Sequence, residues 1–93
     1  MASFNGNVNE WLSQHLKYPD KAAKNGIQGK VIVKFVVKKN GSVSQPSIIR
    51  SVDPYLDREA LRCVKSMPKW KPGKEDGKPA EVWYSLPITF KLQ

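Results

Sequence analysis

Ninety-three residues allow one domain with a single modest core, and a chain 40% hydrophobic and 26% charged has the make-up of a soluble globular protein. No apolar run approaches the ~20 residues of a membrane span and no signal-like segment opens the chain, so any membrane anchor would lie outside this sequence. One cysteine, Cys63, excludes an internal disulfide, and one histidine, His15, stands without clustered metal ligands.

Sixteen Lys and Arg against eight Asp and Glu give a net charge of +8, which draws acidic partners. The lysines are scattered, with Lys30, Lys34, Lys38 and Lys39 on one stretch and Lys65, Lys69, Lys71, Lys74 and Lys78 on another. No nucleic-acid motif accompanies them, so they read as a solvated surface and specific nucleic-acid binding is not expected.

In chain order, Asn7 with Glu10 three residues on is a capping-box start, and Val8, Trp11, Leu12 and Leu16 follow at helical spacing. A second short helix is predicted from Pro19 to Asn25, with proline in its first turn and Gly26 ending it. From Lys30 to Lys38 the chain alternates: Val31, Val33, Phe35 and Val37 line one face, and Lys30, Ile32, Lys34, Val36 and Lys38 the other. Asn40-Gly41 suits a type I′ turn into a second strand, Ser42 to Ser51, where Pro46 signals an edge position or a bulge.

Asp53 and Pro54 open a helix with an apolar stripe of Leu56, Ala60, Leu61, Val64 and Met67, stopped by Pro68. Cys63 falls on its apolar side and reads as a small buried hydrophobe rather than a nucleophile served by His15. The segment from Lys71 to Glu81 reads as a polar loop. The last strand runs from Val82 to Leu92, with every even residue apolar or aromatic and Pro87 in its middle.

Two prolines then predict topology. The strand free of proline belongs at the centre, and those carrying Pro46 and Pro87 at the edges, where a ladder can spare a donor. The fold class is α+β: a three-stranded antiparallel sheet in order 2-1-3 with helices on one face. If Pro87 faces outward, so do Trp83, Ser85, Thr89 and Lys91, and the last strand presents open main-chain donors and acceptors. Such an edge is either blunted by Pro87 and Lys91 or serves as a rail for a partner's extended segment, and pattern alone leaves both open. Trp11 is expected to anchor its helix, Trp70 to cover the core below the long helix, and Trp83 to lie on the open face, where an exposed patch with Ile32 and Val36 is the alternative to a lone exposed ring.

The ordered set Tyr18-Pro19, Gly26-Ile27, Gly29, the Val/Phe strand, Asn40-Gly41, Leu56-Asp57…Ala60-Leu61, Trp70 before Pro72 and the closing Ile-Thr-Phe-Lys-Leu resembles the TonB C-terminal domain family. The match runs from 18 to 92, so residues 1–17 are a lead-in with a short helix and 18–93 the TonB-like domain. Two departures stand out. The family usually spaces its tryptophan further from the following proline than Trp70-Lys71-Pro72 does, and Pro87 interrupts the rail.

The resemblance implies a non-enzymatic periplasmic module of an energy transducer, tethered to the inner membrane and needing no cofactor. The domain would grip the TonB box of an outer-membrane transporter by β-strand addition. An inner-membrane proton-driven motor would be reached through chain preceding this segment, coupling proton-motive energy to nutrient uptake. The implied contact set is Ser85, Pro87, Ile88, Thr89, Phe90 and Lys91, with His15, Leu16, Lys17, Tyr18 and Pro19 alongside. A second reading is a TonB-like domain appended to a membrane-bound sensor or metallopeptidase. Whether the domain forms a homodimer is left open.

Overall fold

A computed structural model describes residues 3–92. Eight elements follow in order: α1 (Val8–His15), α2 (Asp20–Lys24), β1 (Gly29–Val37), β2 (Val43–Arg50), α3 (Pro54–Lys65), β3 (Gly73–Glu75), β4 (Lys78–Ala80) and β5 (Val82–Phe90). The main sheet has order β2-β1-β5 with antiparallel neighbours, as the prolines predicted. No helix among the described residues is long and apolar enough to cross a membrane.

Val31, Val33, Phe35 and Val37 of β1 are fully buried, joined by Leu86, Ile88 and Phe90 of β5 and by Leu56, Ala60, Cys63 and Val64 of α3. This is the burial the alternating and helical patterns dictate, with Leu61 and Met67 only partly covered at the rim of the α3 stripe. Residues ahead of Tyr18 share the same core: Leu12 is buried, and Phe4, Val8, Trp11 and Leu16 pack against it. Asn7 caps α1 by accepting from the N–H groups of Asn9 and Glu10, and Asp53 caps α3 through the Tyr55 N–H.

Two turns correct the sequence reading. The β1–β2 connection is not a two-residue type I′ turn. Gly41 N–H donates to the Lys38 carbonyl at 2.8 Å and Lys38 N–H to Ser42 at 2.9 Å, leaving Lys39, Asn40 and Gly41 as a three-residue loop. Of these only Gly41 has positive φ, at 87°, while the Asn40 side chain accepts from Ser42 instead. The type I′ geometry lies at Asp76-Gly77, both with positive φ, between Glu75 and Lys78 in register. The expected loop therefore contains a small hairpin, β3–β4.

Trp70 is 3% exposed, with its ring against Phe4, Phe35 and Tyr84 at centroid distances of 5.2, 5.4 and 4.8 Å. The short Trp70-Lys71-Pro72 run leaves Lys71 paired with Ser3, whose main chains exchange bonds of 3.0 and 2.8 Å.

Candidate functional site: the open edge of β5

The two edges of the sheet differ. In β2, register shifts place two bulges: one gathers Gln45, at φ 53°, with Pro46, and the other Ile49. Bulges twist an edge and break its donor row. In β5, nine consecutive residues pair with β1 without a bulge, from Val82↔Val37 to Phe90↔Gly29.

Which way β5 presents its main chain follows from hydrogen-bond parity. Lys38 N–H points toward β2, where it meets Ser42. Alternate residues of a strand face opposite neighbours, and β1 has no irregularity toward β5. Even residues of β1 therefore serve β2 and odd residues serve β5. Val31, Val33 and Phe35 pair with Ile88, Leu86 and Tyr84, so the even residues of β5 bond inward. Trp83, Ser85, Pro87 and Thr89 face outward, and Pro87 stands opposite Ile32 where no inward donor is needed. Parity leaves the N–H groups of Trp83, Ser85 and Thr89 outside the β1 ladder, and no turn, loop or side-chain bond among the described residues reaches them.

Part of this edge is walled. A groove of about 190 Å³ separates β5 from α1, lined on the helix by Asn9, Leu12, Ser13 and Leu16 and on the strand by Pro87, Ile88 and Thr89. Asn9, Leu12 and Ser13 fall at i, i+3 and i+4 on one face of α1, and its C-cap Leu16 extends that face. Of these the expected contact set held only Leu16, and Leu12 entered the sequence analysis only as part of the helix's apolar stripe.

The remaining expected contact residues separate. The outward row holds Ser85, Pro87 and Thr89, and Lys91 follows just beyond the strand. Phe90 is turned away on both counts: its ring is buried and its main chain faces Gly29, so it supports the strand from within. Ile88 is likewise bonded inward and reaches the groove only as lining. Tyr18 packs edge-on against Phe90 at 5.7 Å and donates its hydroxyl to the Ile27 carbonyl.

His15 stacks on Trp11 at 4.2 Å, with Nδ1 2.9 Å from the Trp11 carbonyl. Lys17 and Pro19 lie against α3, away from the β5 edge. There Cys63 is fully buried, and its Sγ approaches the carbonyl of His15 rather than its ring, at 3.8 Å. Burial pushes the thiol up to about 11, with the neighbouring Glu59 carboxylate acting in the same direction.

On the open face Trp83 is 56% exposed, with Lys34 Nζ 4.6 Å from its ring centroid, and Ile32 is half-buried. The exposed patch is smaller than expected, because Val36, in register between Trp83 and Ser44, is only 5% exposed.

Comparison with known proteins gives one family. The profile for the Gram-negative bacterial TonB protein C-terminal region matches residues 14–92. A TonB protein of Helicobacter pylori is 32% identical over 83 residues, covering 88% of this chain and 28% of the relative. The tonB2 protein of Pseudomonas aeruginosa is 35% identical over 79 residues, covering 82% and 28%. The chain thus spans little more than a quarter of either relative's length. A solution structure of the H. pylori TonB C-terminal domain superposes with a TM-score of 0.72 at 27% identity, over 92% of this chain and 78% of that one. A shorter piece of the same domain gives 0.70 at 27% identity, over 90% and 88%.

Proposed function

The chain belongs to the Gram-negative TonB C-terminal family, and from that premise we propose that the outward flank of β5 takes the TonB box of an outer-membrane transporter as an added strand. A TonB-type transducer domain must hold an extended segment firmly enough to pull on it yet release it. Ladder hydrogen bonds contribute about 0.5–1.5 kcal/mol each, and ordering the peptide offsets part of that, so an affinity on the order of micromolar is expected. Strands loaded in shear share the force over several bonds.

The observation that carries this reading is the contrast between the edges: β2 is broken by two bulges, while β5 runs unbulged and, by parity, turns the donors of Trp83, Ser85 and Thr89 away from β1, with Pro87 as the one gap in that row. A long unbulged edge is a hazard unless it is blunted or a partner pairs with it, and a single proline and Lys91 blunt β5 less than two bulges do β2. In this proposal Ser85, Pro87, Thr89 and Lys91 provide the rail, with Ile88 and Phe90 holding it in place from the core. Leu16 on α1 forms the opposing wall. His15, Lys17, Tyr18 and Pro19 form the second contact region, beside α3. The full-length protein would act in the periplasm from an inner-membrane tether, driven by a proton-powered motor.

Proline substitutions test the rail. Ser85→Pro removes an outward donor that the fold does not use, so stability should hold while affinity for a synthetic TonB-box peptide falls about tenfold. Pro87→Thr supplies the missing donor and should tighten binding by about two- to fivefold. Unchanged affinity in both variants, read by fluorescence anisotropy, would remove the outward row from the interface.

A further inference from the structure

A second cavity lies away from the β5 edge, between the segment leaving α1 and the first turns of α3. It holds about 450 Å³ and is lined by Lys17, Pro19, Tyr55, Arg58, Glu59 and Arg62. Its one acid is already engaged. Glu59 accepts from Arg62 Nε and Nη2 and from the Lys17 main-chain N–H, all at 2.7 Å. Partial burial pushes the Glu59 carboxyl up, but these hydrogen bonds and the Arg62 charge outweigh it and hold the group below its ordinary value.

Glu59 and Arg62 thus cancel one another and form the only ion pair among the described residues. Lys17 and Arg58 remain without a carboxylate partner there. Lys21 Nζ stands 5.7 Å from the centroid of the Tyr55 ring, adding a third cation nearby. Tyr55 itself is 36% exposed, a large apolar surface at the mouth of the cleft.

We propose that this cleft docks an acidic peptide segment, with one carboxylate side chain between Lys17 and Arg58 and an apolar neighbour against Pro19 and Tyr55. The complementarity is local: two uncompensated cations flank a pocket with room for a side chain or two. A nucleic-acid backbone fits less well, because it would bring phosphate after phosphate past the ionised Glu59 and place little against the apolar wall. No β5 residue lines the cleft, so the proposal stands whether or not that edge takes a strand; it rests on the second contact region proposed above only in sharing Lys17 and Pro19, and it gives that region a ligand chemistry.

The test uses fluorescent hexapeptides of alternating glutamate and leucine, and of alternating glutamine and leucine, titrated by anisotropy at low salt. The acidic peptide is expected to bind, and to bind about tenfold more weakly to the double variant Lys17→Gln/Arg58→Gln. Both residues are exposed, and neither side chain has a hydrogen-bond partner among the described residues, so an unchanged amide spectrum should confirm an intact fold. The charge-matched control Lys74→Gln/Lys78→Gln, on the β3–β4 hairpin, should bind like the parent. Three results would overturn the proposal: equal binding of the glutamine peptide, equal loss in the control, or oligothymidylate outcompeting the acidic peptide at Lys17 and Arg58.

Discussion

Replacing Gly41 with alanine is expected to cost about 3–5 kcal/mol of folding stability, read from urea denaturation midpoints. Two effects combine. Gly41 sits at φ 87°, where a Cβ costs about 1–2 kcal/mol by itself. That Cβ would also lie 2.1 Å from the Trp70 carbonyl oxygen, a clash with main chain that no side-chain rotation relieves. The loop would have to lift away, stretching the 2.8 Å bond from Trp70 N–H to the Gly41 carbonyl. Gly26 is the matched control: its φ is 65°, but a Cβ there meets nothing within 4 Å. Gly26→Ala should cost only about 1 kcal/mol. Equal costs at the two positions would mean that the close approach to Trp70 is not held in solution.

Trp70→Ala should cost about 3–5 kcal/mol, a large share of the ~5–15 kcal/mol available to a domain. The indole is 3% exposed and touches three other rings, so truncation leaves a cavity that the rigid β1 and β5 backbones cannot close. Trp70→Phe should be far milder, below about 2 kcal/mol. The indole N–H is buried without a partner among the described residues, and phenylalanine removes that unpaired donor along with the lost volume. A loss under about 1 kcal/mol for the alanine variant would show that the cluster does not hold the β1–β2 loop and the lead-in to the sheet.

The main sheet was legible because its signals are redundant. Alternation fixed the buried faces of β1 and β5, and the two prolines independently fixed which strands lie at the edges. Turn chemistry was weaker. Asn40-Gly41 and Asp76-Gly77 look alike in sequence, yet the first adopts a three-residue loop because Gly41 must reach Trp70, a contact between residues 29 positions apart. The second forms the tight turn unnoticed, because the three-residue strands Gly73–Glu75 and Lys78–Ala80 are too short and too polar for any alternation to register.

The same division holds for the site. The outward parity of Pro87 needs only local alternation and was available from sequence. The wall supplied by α1 and the charge balance at Glu59 are long-range: Lys17 meets Glu59 across 42 positions, and no local pattern encodes that encounter. Phe90 shows the reverse: the alternation that turns both its ring and its main chain inward is local and legible, whereas its place in the expected contact set came from the family resemblance.

The most direct measurement of the docking edge is amide hydrogen exchange along β5, with and without a saturating TonB-box peptide. Parity predicts that Tyr84, Leu86, Ile88 and Phe90 are protected in both states, while Trp83, Ser85 and Thr89 exchange quickly alone and become protected on binding. Saturable binding that leaves those three amides exchanging freely, or protection of them in the unbound domain, would contradict the assignment of β5 as the docking edge.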